Sequence, residues 1–198
     1  MLERPTLAPP RERSARTVAI AFQVAFALGA AVLLGLGSWP RATIAAALVP
    51  VMWAPALLEH LLGRPLPTHL SAQLGAFLAA GPCAGSAFGL YSALPGWDKV
   101  VHADSGVLVA VAGVVLVRSR EASVRPAAAL LVQASAMAVA AAWEIAEYTS
   151  DQLFGTQAQH GNGDTMTDII AGTAGAAVVL VATWALGRRR GRAPDLTQ

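Results

Sequence analysis

Six stretches of the chain are almost unbroken in apolar residues. They run roughly over 17–37, 42–62, 69–91, 97–117, 126–148 and 165–187. Each approaches or exceeds the roughly 20 residues that a helix needs to cross a bilayer. A soluble all-α protein would carry a polar face on every helix, and most of these stretches have none. The pattern predicts an all-α, polytopic transmembrane helical bundle of about six spans. The second span contains Pro50 and Pro55, which a membrane helix tolerates at the cost of a kink. Gly81, Gly85 and Gly89 recur every four residues in the third span, and Gly172 and Gly175 lie in the sixth. Small residues at such spacing let membrane helices approach closely. No internal repeat and no soluble domain is visible.

Composition agrees with this reading. Of 198 residues, 55% are hydrophobic and 13% charged, against about 25% charged in a typical soluble domain. Cys83 is the single cysteine, which excludes an intrachain disulfide and a cysteine-based zinc site. The pI of about 9.2 comes from arginine flanks rather than a nucleic-acid surface. Residues 1–16 read as a basic tail, 17–187 as the membrane domain and 188–198 as a second basic tail. A positive leader before an apolar run can be a signal peptide, but this run is long for one and predicts an uncleaved first helix.

Lys and Arg concentrate in cytoplasmic loops. With six spans and an internal N-terminus, all but Arg41 and Lys99 of the 14 basic residues fall inside. The asymmetry predicts a multi-pass protein with both termini cytoplasmic and membrane lipid as its surroundings.

The acidic residues are the unusual part. Of 12 Asp and Glu, only Glu3, Glu12, Glu121 and Asp195 fall in loops or tails. Glu59, Asp98, Asp104, Glu144, Glu147, Asp151, Asp164 and Asp168 lie in or at the edge of apolar spans. A carboxylate at the centre of a bilayer helix costs about 2.5–3.5 kcal/mol on insertion scales. Such residues line cavities, bind cations or carry protons. In the predicted orientation the acids of the fourth, fifth and sixth spans share the outer membrane face, whereas Glu59 and His60 lie near the inner one.

Spacing sorts these acids. Asp98 and His102 are four apart and share a helix face, with Gly106 leaving room beside them. The carboxylate can orient the ring, raise its basicity or share a metal with it. Glu144, Glu147 and Asp151 form one stripe at i, i+3 and i+7. Like charges there repel and call for a cation, a proton or a basic partner, and Lys99 is the one base nearby. Asp164 reads as a helix N-cap after Gly161-Asn162-Gly163. Asp168 lies a turn deeper, where capping does not explain it. Asp104 points away from His102. Ser105 beside His102 and Asp98 has poor geometry for a serine triad. Hard oxygens with one imidazole suit Mg²⁺, Mn²⁺ or, with water, Zn²⁺; shared protons are the alternative. Metalloprotease, nucleophile-elbow and phosphate-loop motifs are missing.

Trp97-Asp98-Lys99-Val100-Val101-His102 with Gly106 resembles the D-K-x-x-H-x-x-x-G motif of YjdF-type bacterial inner-membrane proteins. Trp143-Glu144-Ile145-Ala146-Glu147 is similar to their W-E-x-x-E element, and Gly155-Thr156-Gln157 with Asp164-Thr165, Asp168 and Gly172 to their G-T-Q…D-T-x-x-D element. The pattern is more distantly similar to VanZ-like proteins. Ala103-Asp104 departs from the family's apolar or aromatic pair. The resemblance spans roughly 57–181 and implies a small helical protein of the bacterial inner membrane. It groups Asp98, His102, Glu144, Glu147, Asp164 and Asp168 and supplies no reaction.

Three functions follow as expectations. The first is metal-assisted chemistry on a lipid or envelope-precursor head group, with Asp98, His102, Glu147, Asp164 and Asp168 as ligands and Glu144 as general base. The second is cation or proton-coupled transport, favoured by Glu59 at the opposite membrane side. The third is a non-catalytic structural or partner-binding role, with the acids serving helix–helix hydrogen bonds.

Overall fold

The computed structural model of the chain describes residues 10–118 and 124–190, with side chains from 14 to 118 and 124 to 188. Residues 1–9 and 191–198 of the expected basic tails, and Arg120 of the expected internal loop, lie outside the described residues. The described residues are helical with no strand. The chain divides into two compact units, Met1–Pro95 and Gly96–Gln198.

The first unit holds α1 (Pro10–Gly35), α2 (Trp39–Val51), α3 (Ala54–Leu62), α4 (Thr68–Leu78), a π-helical segment (Ala79–Ala87) and the short α5 (Leu90–Ala93). Helix α1 starts seven residues before the expected span. The kink expected in the second span is present as the break between α2 and α3. The Trp53 amide bonds the Pro50 carbonyl at 3.0 Å, three residues back. The Val49 carbonyl is thereby free of its helical donor, and Gln23 of α1 supplies one through Nε2 at 3.1 Å. Pro55 sits in the first turn of α3, where its missing N–H is no loss.

The third expected span is helical but changes its winding at Ala79. Pro82 lies within the π segment. It has no N–H, and its ring would press on the carbonyl four residues back in α-helical geometry; a wider turn relieves both problems. Of the three glycines there, Gly81 and Gly85 are buried, and a Cβ on Gly85 would meet the Tyr91 ring. Gly89 does something different. Its φ of +81° ends the segment, a backbone that residues with a side chain rarely adopt. The core of this unit is Phe26, Leu48, Met52 and Leu78 with Phe22 and Phe77 against them.

The second unit is three long helices, α6 (Trp97–Arg118), α7 (Pro126–Phe154) and α8 (Asn162–Arg190), each packed on the other two. Their contact is built from small residues. A Cβ at Gly106 would collide with the Gly172 carbonyl oxygen, and one at Gly175 with the Ala103 carbonyl. The close approach expected of Gly172 and Gly175 is therefore an α6–α8 backbone contact. Ala110, Ala136, Ala176 and Val132 fill the centre, and Gln133 Nε2 donates from α7 to the Thr173 carbonyl of α8 at 2.8 Å.

Large apolar side chains face outwards. Ile20, Val24, Leu28 and Val32 form a stripe along α1, each more than half exposed, and Leu130, Leu131, Ile170, Val178 and Val181 do the same on α7 and α8. A water-soluble surface does not carry such continuous apolar stripes; a bilayer surface requires them. Among the described residues five helical spans are long and apolar enough to cross: Ser14–Gly35, Trp39–Leu62, Trp97–Arg118, Pro126–Phe154 and Asn162–Arg188. The expected third span, divided between α4 and the π segment, is not among the five. The protein is an all-α membrane bundle.

Candidate functional site

The acids of the second unit gather at one end, where α6 and α8 begin and α7 finishes. Asp98 and His102 project from the first turns of α6, Asp164 and Asp168 from those of α8, and Glu144 and Glu147 from the last third of α7. Glycine makes this convergence possible. With backbones as close as Gly106 and Gly172 allow, side chains one turn nearer the helix ends meet across the contact.

At the centre is His102, which is 2% exposed. Its Nε2 lies 3.6 Å from Asp98 Oδ1 and 3.6 Å from Glu144 Oε1. Both ring nitrogens and Glu144 Oε1 are buried without a hydrogen-bond partner among the described residues. Trp143 packs on the ring in a T-shaped arrangement, with centroids 5.5 Å apart and planes at 66°. Trp143 Nε1 also donates to Glu147 Oε1 at 2.8 Å. The tryptophan thus fixes the imidazole with its ring and a carboxylate with its N–H.

Asp98, His102 and Asp168 form the compact set. Each offers one ligand atom, and these atoms all lie within 4.8 Å of one another. Two ligands about 2.1 Å from a shared ion are at most about 4.2 Å apart. The three residues therefore come within roughly half an ångström of the spacing an ion needs. Glu144 adjoins this set through His102. Glu147 and Asp164 lie outside it: Glu147 is held by Trp143, and Asp164 is joined to the set through a lysine.

That lysine is Lys99. Its Nζ donates to Asp98 Oδ2 at 3.4 Å, to Asp168 Oδ2 at 2.8 Å and to Asp164 Oδ1, and it lies 2.7 Å from Asp168 Oδ1. Asp168 is 1% exposed, and burying a charge that deeply is costly unless it is paired. Lys99 is the partner. Spacing alone had identified it only as a nearby base. No spacing within α6 signalled the larger role, because the reach to α8 depends on how closely the two helices approach.

Two expectations change. Asp164 is no N-cap: α8 begins at Asn162, the Thr165 amide bonds the Gly161 carbonyl, and the Asp164 side chain turns to Lys99. Asp151 does not join the stripe of Glu144 and Glu147. It accepts from the amides of Ala158 and Gln159 at 2.9 and 3.0 Å and from the Thr156 hydroxyl, and so shapes the loop after α7. Ser105, already set aside as a triad member, donates its hydroxyl to the His102 carbonyl at 2.7 Å. Asp104 is half-buried outside the compact set. In the first unit Glu59 accepts the Leu66 amide through Oε1 at 2.8 Å.

Five apolar spans and a partly buried cluster of acid, imidazole and ammonium groups define a polytopic membrane protein with a polar centre at one end of its second unit. Residues 17–189 match the family described as Predicted membrane protein (DUF2238), and the chain belongs to that family. This is the family of the YjdF-type proteins that the motifs resemble. The match lends no specific support to the more distant VanZ-like likeness. No curated protein and no solved structure matches the chain.

Proposed function

We propose that this protein binds a divalent cation in the second unit and uses it on a lipid or envelope-precursor head group. Asp98, His102 and Asp168 are the inner ligands, Asp164 and Glu147 adjoin them, and Glu144 is the general base. The observation that carries this reading is the compact set itself, three ligand atoms within 4.8 Å, flanked by buried His102 and Glu144 atoms that have no hydrogen-bond partner among the described residues. Buried polar groups are almost always satisfied, so a ligand that satisfies these is expected. The donor set of carboxylates with one imidazole suits Mg²⁺, Mn²⁺ or Zn²⁺. Such an ion would supply electrophilic stabilisation to a phosphoryl or carbonyl oxygen. The chain itself would orient the ring through Trp143 and hold a proton-accepting carboxylate at Glu144.

In this reading α4 with the π segment crosses as a sixth span beside the five long ones, both termini are cytoplasmic, the membrane is the bacterial inner membrane and the centre opens toward its outer face. Single cysteines placed at the two ends of α6 in a Cys83→Ser background, labelled from one side of intact cells, test the orientation.

Elemental analysis of protein purified without chelators tests the centre. About one equivalent of metal is expected in the wild type and none in His102→Ala or Asp168→Asn that still elute as folded protein. A metal-free wild type that acquires no metal on dialysis rejects the cation reading.

One observation favours a second reading, proton-coupled or cation transport. Lys99 already neutralises part of the acid cluster, which leaves His102 and Glu144 to exchange a proton. Proton-linked flux in proteoliposomes, abolished in Glu144→Gln and indifferent to chelators, separates it from the first.

A further inference from the structure

The first unit contains a cavity of about 430 Å³ unrelated to the acid cluster. This falls in the range of about 300–1,000 Å³ typical of small-molecule sites. Its lining is divided in character. Ala19, Met52, Pro55 and Ala56 supply an apolar wall, while Arg16 and Arg64 supply guanidinium groups and His60 and Ser71 further polar groups, with Glu59 as the only carboxylate among the described lining residues.

The charge balance favours an anion. Two guanidinium groups face one carboxylate, and neither arginine has an ion pair among the described residues. Glu59 is also partly committed, since its Oε1 accepts the Leu66 amide at 2.8 Å. The end of α3 would ordinarily oppose an anion, because helix C-termini expose carbonyl oxygens. Here Gly63, at φ +62°, closes the helix so that the Gly63 amide takes the His60 carbonyl and the Arg64 amide takes the Glu59 carbonyl. Two of the carbonyl oxygens at this end are thereby capped, and Arg64 is carried into the lining.

Position along the spans points the same way. Arg16 stands at the start of the span Ser14–Gly35, and His60 and Arg64 at the end of the span Trp39–Leu62. That they line one cavity places these two ends at the same membrane surface, the depth at which phosphate groups lie. Guanidinium groups pair with phosphate through two parallel N–H···O bonds.

We propose that this cavity is a binding site for a phosphate group, with Arg16 and Arg64 as its anchors, Ser71 and His60 as additional donors, and the apolar wall receiving a glycerol or acyl segment attached to the phosphate. A phospholipid head group and a soluble phosphate ester share this chemistry.

The test uses the full-length protein in detergent, titrated with short-chain phosphatidic acid, short-chain phosphatidylcholine, glycerol phosphate and inorganic phosphate, and read by native mass spectrometry and by thermal stability. Saturable one-to-one binding of phosphatidic acid is expected, about tenfold or more weaker in Arg16→Gln/Arg64→Gln and unchanged in Arg118→Gln, an exposed arginine of the second unit. Glycerol phosphate or inorganic phosphate binding as tightly as the lipid, with the same loss in the double variant, supports the site with a soluble occupant. Should the double variant fail to fold, Ala56→Leu fills the cavity without altering its charge and is expected to weaken binding likewise. Phosphatidic acid binding that survives the double variant, or falls equally in Arg118→Gln, overturns the proposal. These outcomes are independent of the metal content of the second unit.

Discussion

His102 of α6 and Glu144 of α7 face each other with Nε2 and Oε1 3.6 Å apart, and neither atom has a hydrogen-bond partner among the described residues. Each unsatisfied buried polar atom costs about 1–3 kcal/mol. A centre kept for function carries such a cost, and a centre kept for stability does not. Replacing a buried polar pair with apolar residues of similar size is often neutral or stabilising by about 1–4 kcal/mol. The double variant His102→Leu/Glu144→Met is therefore expected to unfold at or above the wild-type temperature in detergent and, if the centre binds a cation as proposed, to lose that binding. A large drop in stability would mean that the pair is structural, as the non-catalytic expectation has it.

The α6–α8 contact gives a second prediction. A Cβ at Gly106 would fall on the Gly172 carbonyl, which is backbone and cannot swing aside. Gly106→Ala is expected to cost about 1–3 kcal/mol, and because it separates the helices that carry Asp98, His102 and Asp168, it should also weaken cation binding if the proposed site is real. Gly187→Ala, with open space around its Cβ, is the control and is expected to leave both unchanged. Thermal unfolding and metal content of the two variants check this.

Asp151 gives a third. It accepts two backbone amides and a hydroxyl from the segment after α7, and Gly155 at φ +66° turns the chain into that segment. Asp151→Ala removes all three acceptor contacts. Proteolytic cutting within residues 155–161 is expected to accelerate by about tenfold, in keeping with a loss of 1–2 kcal/mol in a local opening equilibrium. Metal content should be unchanged. Loss of metal in this variant would show that Asp151 contributes to the centre after all.

These relationships were unequally visible in the sequence. Five of the six expected spans were legible because apolar length is set by the bilayer, and the α2–α3 break because Pro50 and Pro55 have fixed backbone consequences. Asp98 and His102 were legible as a pair because they share one helix, where spacing determines the face. The change to π winding at Ala79 was not, since a proline tolerated in a membrane helix can kink, bulge or rewind it. Pairings between helices were also hidden. Nothing in the spacing says that the ammonium of Lys99 crosses from α6 to Asp164 and Asp168 of α8, because that depends on how close Gly106 and Gly172 bring the backbones. Asp151 shares the stripe of acids on α7 by spacing but was not among the expected site residues, and it turned back to its own loop.

Lys99 provides the prediction that separates the two functional readings. Its ammonium lies within ion-pair distance of Asp98, Asp164 and Asp168, and Asp168 is 1% exposed. Removing one partner of a fully buried pair costs about 3–5 kcal/mol. The side chain of Lys99 is one-third exposed, so Lys99→Gln is expected to cost at most about 3 kcal/mol in metal-free protein. The same change frees two aspartates for a divalent ion. A ligand that binds the folded state at 100 times its dissociation constant restores about 2.7 kcal/mol. If the centre binds a cation, Lys99→Gln becomes a metal-dependent fold: destabilised in chelator, returned close to the wild-type melting temperature by Mg²⁺, Mn²⁺ or Zn²⁺, with tighter binding than the wild type. If the cluster exchanges protons instead, the variant is destabilised to the same extent with chelator or metal, and Lys99→Gln/Asp168→Asn recovers the loss without any ion. Melting curves of the three proteins with and without chelator distinguish the outcomes.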